Sequence, residues 1–183
     1  MKFIETKIND LKIIEPSFFE DNRGYFLESY NQNEFDKTIS KVSFVQDNES
    51  KSSKGILRGL HFQKPPFDQA KLVRCIEGKV LDVAVDLRNK SKTYGQHIAI
   101  ELSGENKKQL FVPRGFAHGF LVLSEFAIFS YKVDNIYAPK YDAGIKWNDR
   151  ELNIDWGIEH SKVIVSEKDS FLPSLTEFKS PFN

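Results

Sequence analysis

Gly55-Ile56-Leu57-Arg58-Gly59-Leu60-His61-Phe62-Gln63 sets one arginine and one histidine among large hydrophobes, and Lys64-Pro65-Pro66 closes the run. Two successive prolines lack the N–H and have a fixed φ, so the stretch is predicted to be one buried strand with a turn behind it. A histidine titrates near neutral pH and an arginine does not, so a base and a permanent cation are offered to one pocket. Taken alone, His61 reads first as a core histidine bonded to a backbone carbonyl. The rest of the chain changes that reading.

Outward from this strand, short strands dominate. Lys71 to Arg88 is nearly all strand pattern, broken at Glu77-Gly78, with Leu81, Val83, Val85 and Leu87 on one face and Asp82 and Asp86 on the other. His97 to Leu102 alternates in the same way before a turn at Gly104-Glu105-Asn106, and Gln109 to Pro113, Gly119 to Leu123 and Ala127 to Val133 give three more strands. Toward the N-terminus, Leu11 to Ile14 is a strand stopped by Glu15-Pro16. Asp21-Asn22-Arg23-Gly24 is a turn feeding a strand from Tyr25 to Tyr30, on which Phe26, Glu28 and Tyr30 share a face. Asn33 to Ser40 allows a weak helical turn. Phe44 to Asn48 is a short strand ending in polar residues, and Ser50 to Lys54 is read as a polar loop. After Trp147 and Trp156 come further turns before Lys162 to Ser166. Many short strands with little helical periodicity predict an all-β antiparallel sandwich or barrel.

The 183 residues suit one domain, 1–183, with a single sizeable core. The 26 basic and 26 acidic residues cancel, so nothing global asks for nucleic acid or a membrane surface, and any anion must be met by a local cluster. The single cysteine, Cys75, sits in a strand pattern and reads as a small buried hydrophobe in a reducing compartment. Lys2, Glu5 and Lys7 interrupt the N-terminus before an apolar block can form, which argues against a signal peptide or spanning helix. A cytoplasmic protein is expected.

Of the four histidines, His97 and His160 suit surface or structural roles. His118 lies in Pro113-Arg114-Gly115-Phe116-Ala117-His118-Gly119, a Pro-x-Gly-x-x-His run of the kind found in cupin barrels, where the glycine permits a tight turn and the histidine points inward. Metal-binding cupins add a His-x-His pair and a carboxylate. Here Gln63 breaks the pair after His61, and two histidines are too few for a zinc or iron site, so no metal and no cofactor are expected. Such a barrel must work with side chains. Tyr131, with its ring in an apolar strand, and the carboxylates of Ser166-Glu167-Lys168-Asp169-Ser170 become an acid and an orienting group only if they share a pocket with His61.

Seven separated motifs in order, Asp-x-Arg-Gly-x-Phe-x-Glu at 21–28, Gln-Asp-Asn at 46–48, Leu-Arg-Gly-Leu-His at 57–61, Lys-Leu-Val-Arg at 71–74, Pro-x-Gly-Phe-Ala-His-Gly-Phe at 113–120, Tyr-Lys at 131–132 and Ser-Glu-Lys-Asp at 166–169, resemble the dTDP-4-dehydrorhamnose 3,5-epimerase family over residues 1 to about 175. The resemblance implies a homodimeric, metal-free, cupin-type jelly roll acting on a nucleoside-diphosphate 4-keto-6-deoxy sugar. It implies that His61 is the base at C3 and C5, that Asp169 holds its other ring nitrogen, that Lys71 meets the C4 oxygen, and that Tyr131 is the acid on the opposite face. Arg23, Gln46, Asp47, Asn48, Arg58 and Lys168 carry over as contacts to nucleotide, diphosphate or sugar, and Phe26, Glu28, His118 and Asp142 as residues lining the site. A regular strand puts Arg58 and His61 on opposite faces, so a shared pocket calls for a bulge. The chain departs from the family pattern at Phe62, Phe111, Ile136 and Arg150, none of them in the acid–base set. The motifs leave open a C3-only or C5-only epimerase, another nucleotide substrate such as a GDP-4-keto-heptose, and a noncatalytic nucleotide-sugar-binding cupin.

Overall fold

The computed structural model describes residues 1–39 and 42–182. Its strands are β1 (Lys2–Glu5), β2 (Lys12–Glu15), β3 (Phe18–Asp21), β4 (Gly24–Leu27), β5 (Gln46–Ser53), β6 (Leu57–Gln63), β7 (Lys71–Glu77), β8 (Lys79–Asp86), β9 (His97–Ser103), β10 (Gln109–Val112), β11 (Phe116–Val122), β12 (Phe126–Val133) and β13 (Asp142–Gly144). Helices are short: α1 (Gln32–Thr38), capped by Asn31, and α2 (Glu167–Ser170), capped by Ser166. Ser40, where the expected helical turn would end, lies outside the described residues.

Two antiparallel sheets face each other, one ordered β1-β2-β10-β7-β12-β5 and the other β13-β6-β11-β8-β9, while β3 and β4 form a separate ribbon. This is the all-β, cupin-type jelly roll expected from the sequence. Between the sheets lies one cluster that includes Val73, Leu110 and Phe129 from the first sheet and Val80, Phe116 and Phe120 from the second. The outer face of the five-stranded sheet is covered by the C-terminal segment, whose Trp147, Leu152, Ile154, Trp156 and Phe182 pack on Leu57, Leu60, Val83, Val85 and Leu121. Near α1, Phe35 packs with Ile14, Leu72 and Phe111 over the outside of the six-stranded sheet. Both faces of β8 are therefore buried. Asp82 and Asp86, opposite its apolar face, are fully enclosed rather than wet.

Two expectations are corrected. Ser50 to Lys54 is not a loop, because β5 runs on to Ser53 and pairs with β12 along its whole length. Its polar inward side hid it: Gln46, Asn48, Ser50 and Ser52 alternate with the exposed Asp47, Glu49 and Lys51. The strand from Tyr25 stops at Leu27, so Glu28 and Tyr30 do not continue the alternation. Lys162 belongs to a single 3-10 turn at His160–Lys162, and Ile164 beyond it makes only an isolated bridge to Ile56.

Candidate active site

A cavity of about 560 Å³ opens between the sheets, and both ends of the organising strand reach it. In the pairing of β6 with β11, His61 stands opposite His118 and Arg58 opposite Phe120, so three steps on β6 match two on β11. The extra residue is the bulge that a shared pocket required. Gly59 makes it possible: its φ is +144°, and a Cβ there would lie 2.6 Å from the Gly119 Cα, so only glycine lets the two strands approach. Arg58 and His61 both line the cavity as a result.

Asp169 comes from α2, far away in sequence. Ser166 accepts its N–H and starts the turn that carries the carboxylate under β6. There Asp169 Oδ1 meets His61 Nε2 at 2.6 Å, while the Gly59 N–H points at Oδ2 from 3.5 Å. Burial pushes the Asp169 carboxyl up, but the His61 hydrogen bond and charge, with help from Gly59 and Ser166, hold it below the usual carboxylate range. An ionised Asp169 accepts a hydrogen bond from the Nε2–H and leaves His61 Nδ1 with its lone pair. The His61 side chain is 31% exposed and Asp169 5%, so the ring reaches the cavity and its anchor does not.

The opposite wall belongs to the six-stranded sheet. Tyr131 on β12 stands opposite Val73 on β7, and Lys71 opposite Val133, so both side chains face inward from neighbouring strands. Burial pushes the Tyr131 phenol up; Arg58 pulls it back, while Asp142 and Tyr137 add to the rise. The hydroxyl thus keeps its proton through the neutral range. Burial also pushes the Lys71 ammonium down to about 8, against the opposing charges of Asp142 and Asp82. Its hydrogen bond is to the His61 carbonyl, at 3.4 Å.

His118 reaches the same cavity beside His61, with its Nε2 on both carboxylate oxygens of Asp82 at 3.0 and 2.9 Å. Phe120 and Phe129, stacked with centroids 4.1 Å apart, give the cavity an apolar wall. Arg58 is steadied by one hydrogen bond from Nε to Ser52 Oγ, and Asn48 and Lys168 also line the cavity. Among the described residues no group of three or more His, Cys, Asp or Glu side chains is arranged to hold a metal ion.

The structure brings together His61, Tyr131, Asp169, Lys71, Asn48, Arg58, His118 and Lys168. Gln46 and Asp142 sit just behind them: Gln46 binds Asn48 and the Tyr137 N–H, and Asp142 binds Lys168 and the Tyr137 hydroxyl. Asp47 points the other way, to Lys132 on the outside of the sheet at 2.9 Å, because β5 alternates. Arg23, Phe26 and Glu28 are exposed and do not line the cavity, with Arg23 and Phe26 on or beside the β3–β4 ribbon. Arg23 is paired there with Asp21. Gln63 spends its amide on the carbonyls of Phe67 and Ile136 and the N–H of Ala138, so the residue that breaks the His-x-His pair clamps the loop bearing Tyr137. Asp82 went unnoticed as a site residue; its place on the β8 face that contains no large hydrophobe was the available signal.

Residues 5–177 match the family described as dTDP-4-dehydrorhamnose 3,5-epimerase. The enzyme of that name from Escherichia coli (strain K12) is 52% identical over 178 residues, covering 97% of this chain and 96% of the relative. The crystal structure of the Elizabethkingia anophelis dTDP-4-dehydrorhamnose 3,5-epimerase superposes with a TM-score of 0.93 at 54% identity, covering 97% of each chain. A dTDP-6-deoxy-D-glucose-3,5-epimerase from Legionella pneumophila, solved with dTDP-4-keto-L-rhamnose, gives 0.95 at 44% identity over 100% of this chain and 98% of that one. With the cavity, the opposed histidine and tyrosine and these relatives in agreement, the chain belongs to the dTDP-4-dehydrorhamnose 3,5-epimerase family.

Proposed function

We propose that this isomerase inverts C3 and C5 of dTDP-4-dehydro-6-deoxy-D-glucose to give dTDP-4-dehydro-L-rhamnose. The observation that carries the reading is the placing of His61 and Tyr131 on opposed sheets across one cavity, with Lys71 lining it beside Tyr131. Carbons 3 and 5 both flank the C4 ketone. A C–H there becomes acidic only when a base is close and the oxygen's growing charge is met.

His61 Nδ1 takes the proton, the C–H electron pair becomes the enolate double bond, and the carbonyl pair moves onto O4, where the Lys71 ammonium lies. The Tyr131 hydroxyl then gives its proton to the same carbon from the other side. The carbon is inverted, the ketone returns, and solvent exchange restores both side chains. Because the substrate is flanked symmetrically about C4, one base, one acid and one cation serve both carbons in turn. Neither a metal nor a cofactor has a step to perform.

Arg58, Asn48, Lys168 and His118 hold the substrate, with Arg58 suited to paired diphosphate oxygens. The protein acts as a homodimer. Phe19 and Phe26 are each 70% exposed on the ribbon next to Arg23, an aromatic and cationic surface that a single chain leaves uncovered. A second copy would receive it, bringing Arg23, Phe26 and Glu28 to the partner's cavity. The buried Cys75 thiol, which burial pushes up to about 11, needs no oxidising compartment and fits a cytoplasmic enzyme. Among the described residues no helix is long and apolar enough to cross a membrane.

The test is proton NMR with dTDP-4-keto-6-deoxy-glucose in D₂O. Deuterium entering C3 and C5, with the L-rhamno product, is expected; exchange at one carbon would make it a mono-epimerase, and no exchange would send the reading back to a binding cupin. Tyr131→Phe should let exchange outrun inversion. A 1:1 mixture of His61→Asn and Arg23→Ala, once its subunits have exchanged, should recover about a quarter of the wild-type sites if the ribbon serves its partner, and none if it does not.

A further inference from the structure

Gln63 stands two residues beyond His61 in the regular end of β6, so the two side chains leave the strand on the same face. It is 3% exposed, and its amide is engaged within the protein. Nε2 donates to the Phe67 carbonyl at 2.7 Å and the Ile136 carbonyl at 3.1 Å, and Oε1 accepts the Ala138 N–H at 2.6 Å. Both N–H donors are used, so neither is left for a substrate. One buried side chain therefore joins the strand that carries the base, the turn that follows it and the backbone on either side of Tyr137. Two further bonds run along the same seam, from Gln69 Nε2 to the Asn135 carbonyl at 2.8 Å and from Asn135 Nδ2 to the Pro66 carbonyl at 3.1 Å.

Tyr137 is itself exposed, yet it is bonded at both ends. Its N–H meets Gln46 Oε1 at 3.4 Å, and Gln46 Nε2 donates to Asn48 Oδ1 at 2.8 Å. Its hydroxyl donates to Asp142 Oδ2 at 3.1 Å, the same oxygen that takes the Lys168 ammonium. Asn48 and Lys168 line the cavity from β5 and from α2. The tyrosine thus bridges the supports of two lining residues, and both bonds depend on where its backbone is held. We propose that Gln63 is a positioning residue: by clamping residues 136–138 it keeps Tyr137 where it steadies Asn48 through Gln46 and Lys168 through Asp142. Its work is on substrate binding, not on proton transfer. An amide suits the task, because it bonds carbonyls and an N–H at once without bringing a charge beside His61. This rests on reading Asn48 and Lys168 as substrate contacts.

The experiment measures kcat and KM for dTDP-4-keto-6-deoxy-glucose in wild type, Gln63→Leu, Tyr137→Ala and the double variant, with backbone hydrogen exchange over residues 134–141 in each. Gln63→Leu strands two carbonyls and an N–H, so the Ala138 amide should exchange faster, and KM should rise about tenfold while kcat stays within about twofold. In the Tyr137→Ala background the same change should raise KM by less than about threefold, because the residue it acts through is gone. Full additivity of the two changes would make Gln63 merely structural and overturn the proposal, as would a fall in kcat with KM unmoved. Exchange unchanged in Gln63→Leu would remove the clamp itself. If the loop loosens but neither single variant raises KM, the reading of Asn48 and Lys168 as substrate contacts falls instead. Should Gln63→Leu fail to fold, Tyr137→Phe decides: it discards only the hydroxyl on Asp142, and a raised KM at unchanged kcat supports the bridge while an unmoved KM removes it.

Discussion

Two histidine–aspartate pairs stand side by side on β6 and β11, His61 with Asp169 and His118 with Asp82, and burial separates their work. The His61 side chain is 31% exposed and the His118 side chain 8%, though both rings use Nε2 for their carboxylate. A base must touch a C–H, so only the more open ring is placed to take a proton. Its carboxylate arrives on a four-residue helix and is fixed by its cap. The other carboxylate belongs to a central strand and cannot move. One pair is arranged for proton transfer and the other holds a buried ring against a strand.

The hardest blow to that comparison is His61→Asn set beside His118→Asn. The first should lose roughly 10² to 10⁴ in rate and abolish deuterium entry at both carbons, the weight of a general base. The second should bind substrate less well yet still wash deuterium into both. Equal loss of exchange in the two variants would make the pairs equivalent and remove the distinction. Circular dichroism of each variant separates chemistry from folding.

Gly59→Ala strikes the bulge that brings His61 and Arg58 to one side. A Cβ there meets the Gly119 backbone at 2.6 Å and the residue sits at φ +144°, so the change should destabilise the protein by about 1–3 kcal/mol in urea unfolding. The variant that still folds should lose activity beyond its loss of stability, because β6 slips toward regular alternation. An active, undisturbed Gly59→Ala would mean that the bulge is incidental.

That bulge also marks how far the sequence could be read. The strands on either side of Glu77-Gly78 followed from period-two alternation and turn residues, the inward histidine at 118 from the cupin-type Pro-x-Gly-x-x-His run, and the extra residue between Arg58 and His61 from setting that alternation against the shared pocket the resemblance implied. Strand β5 did not, because its inward side is polar where it lines a cavity, and alternation of polar with polar leaves no hydrophobic signal. Asp82 did not, because an aspartate opposite Leu81 and Val83 looks like a wet face until the C-terminal segment is seen to cover the other side of the strand. The Asp47 side chain lies outside the cavity lining: the same alternation that puts Asn48 in the cavity turns Asp47 to Lys132. Arg23 and Phe26 lie on a ribbon whose purpose no single chain reveals.

The smallest effect concerns acid. Asp169 is held below the usual carboxylate range in the folded protein and returns to that range when the chain unfolds. Its stabilisation is therefore complete above the usual carboxylate pKa and is lost as pH falls through the lowered folded value, where Asp169 protonates in both states. Asp169→Asn, which keeps the shape and discards the charge, should cost about 1–3 kcal/mol near neutrality, the range for unmaking a buried hydrogen bond to a charged group. Its Tm should then draw closer to the wild-type Tm as the buffer is taken below the carboxylate range. If the gap between the two stayed constant down to pH 3, Asp169 would be contributing by packing, and His61 would have to owe its tautomer to something other than a fixed negative charge.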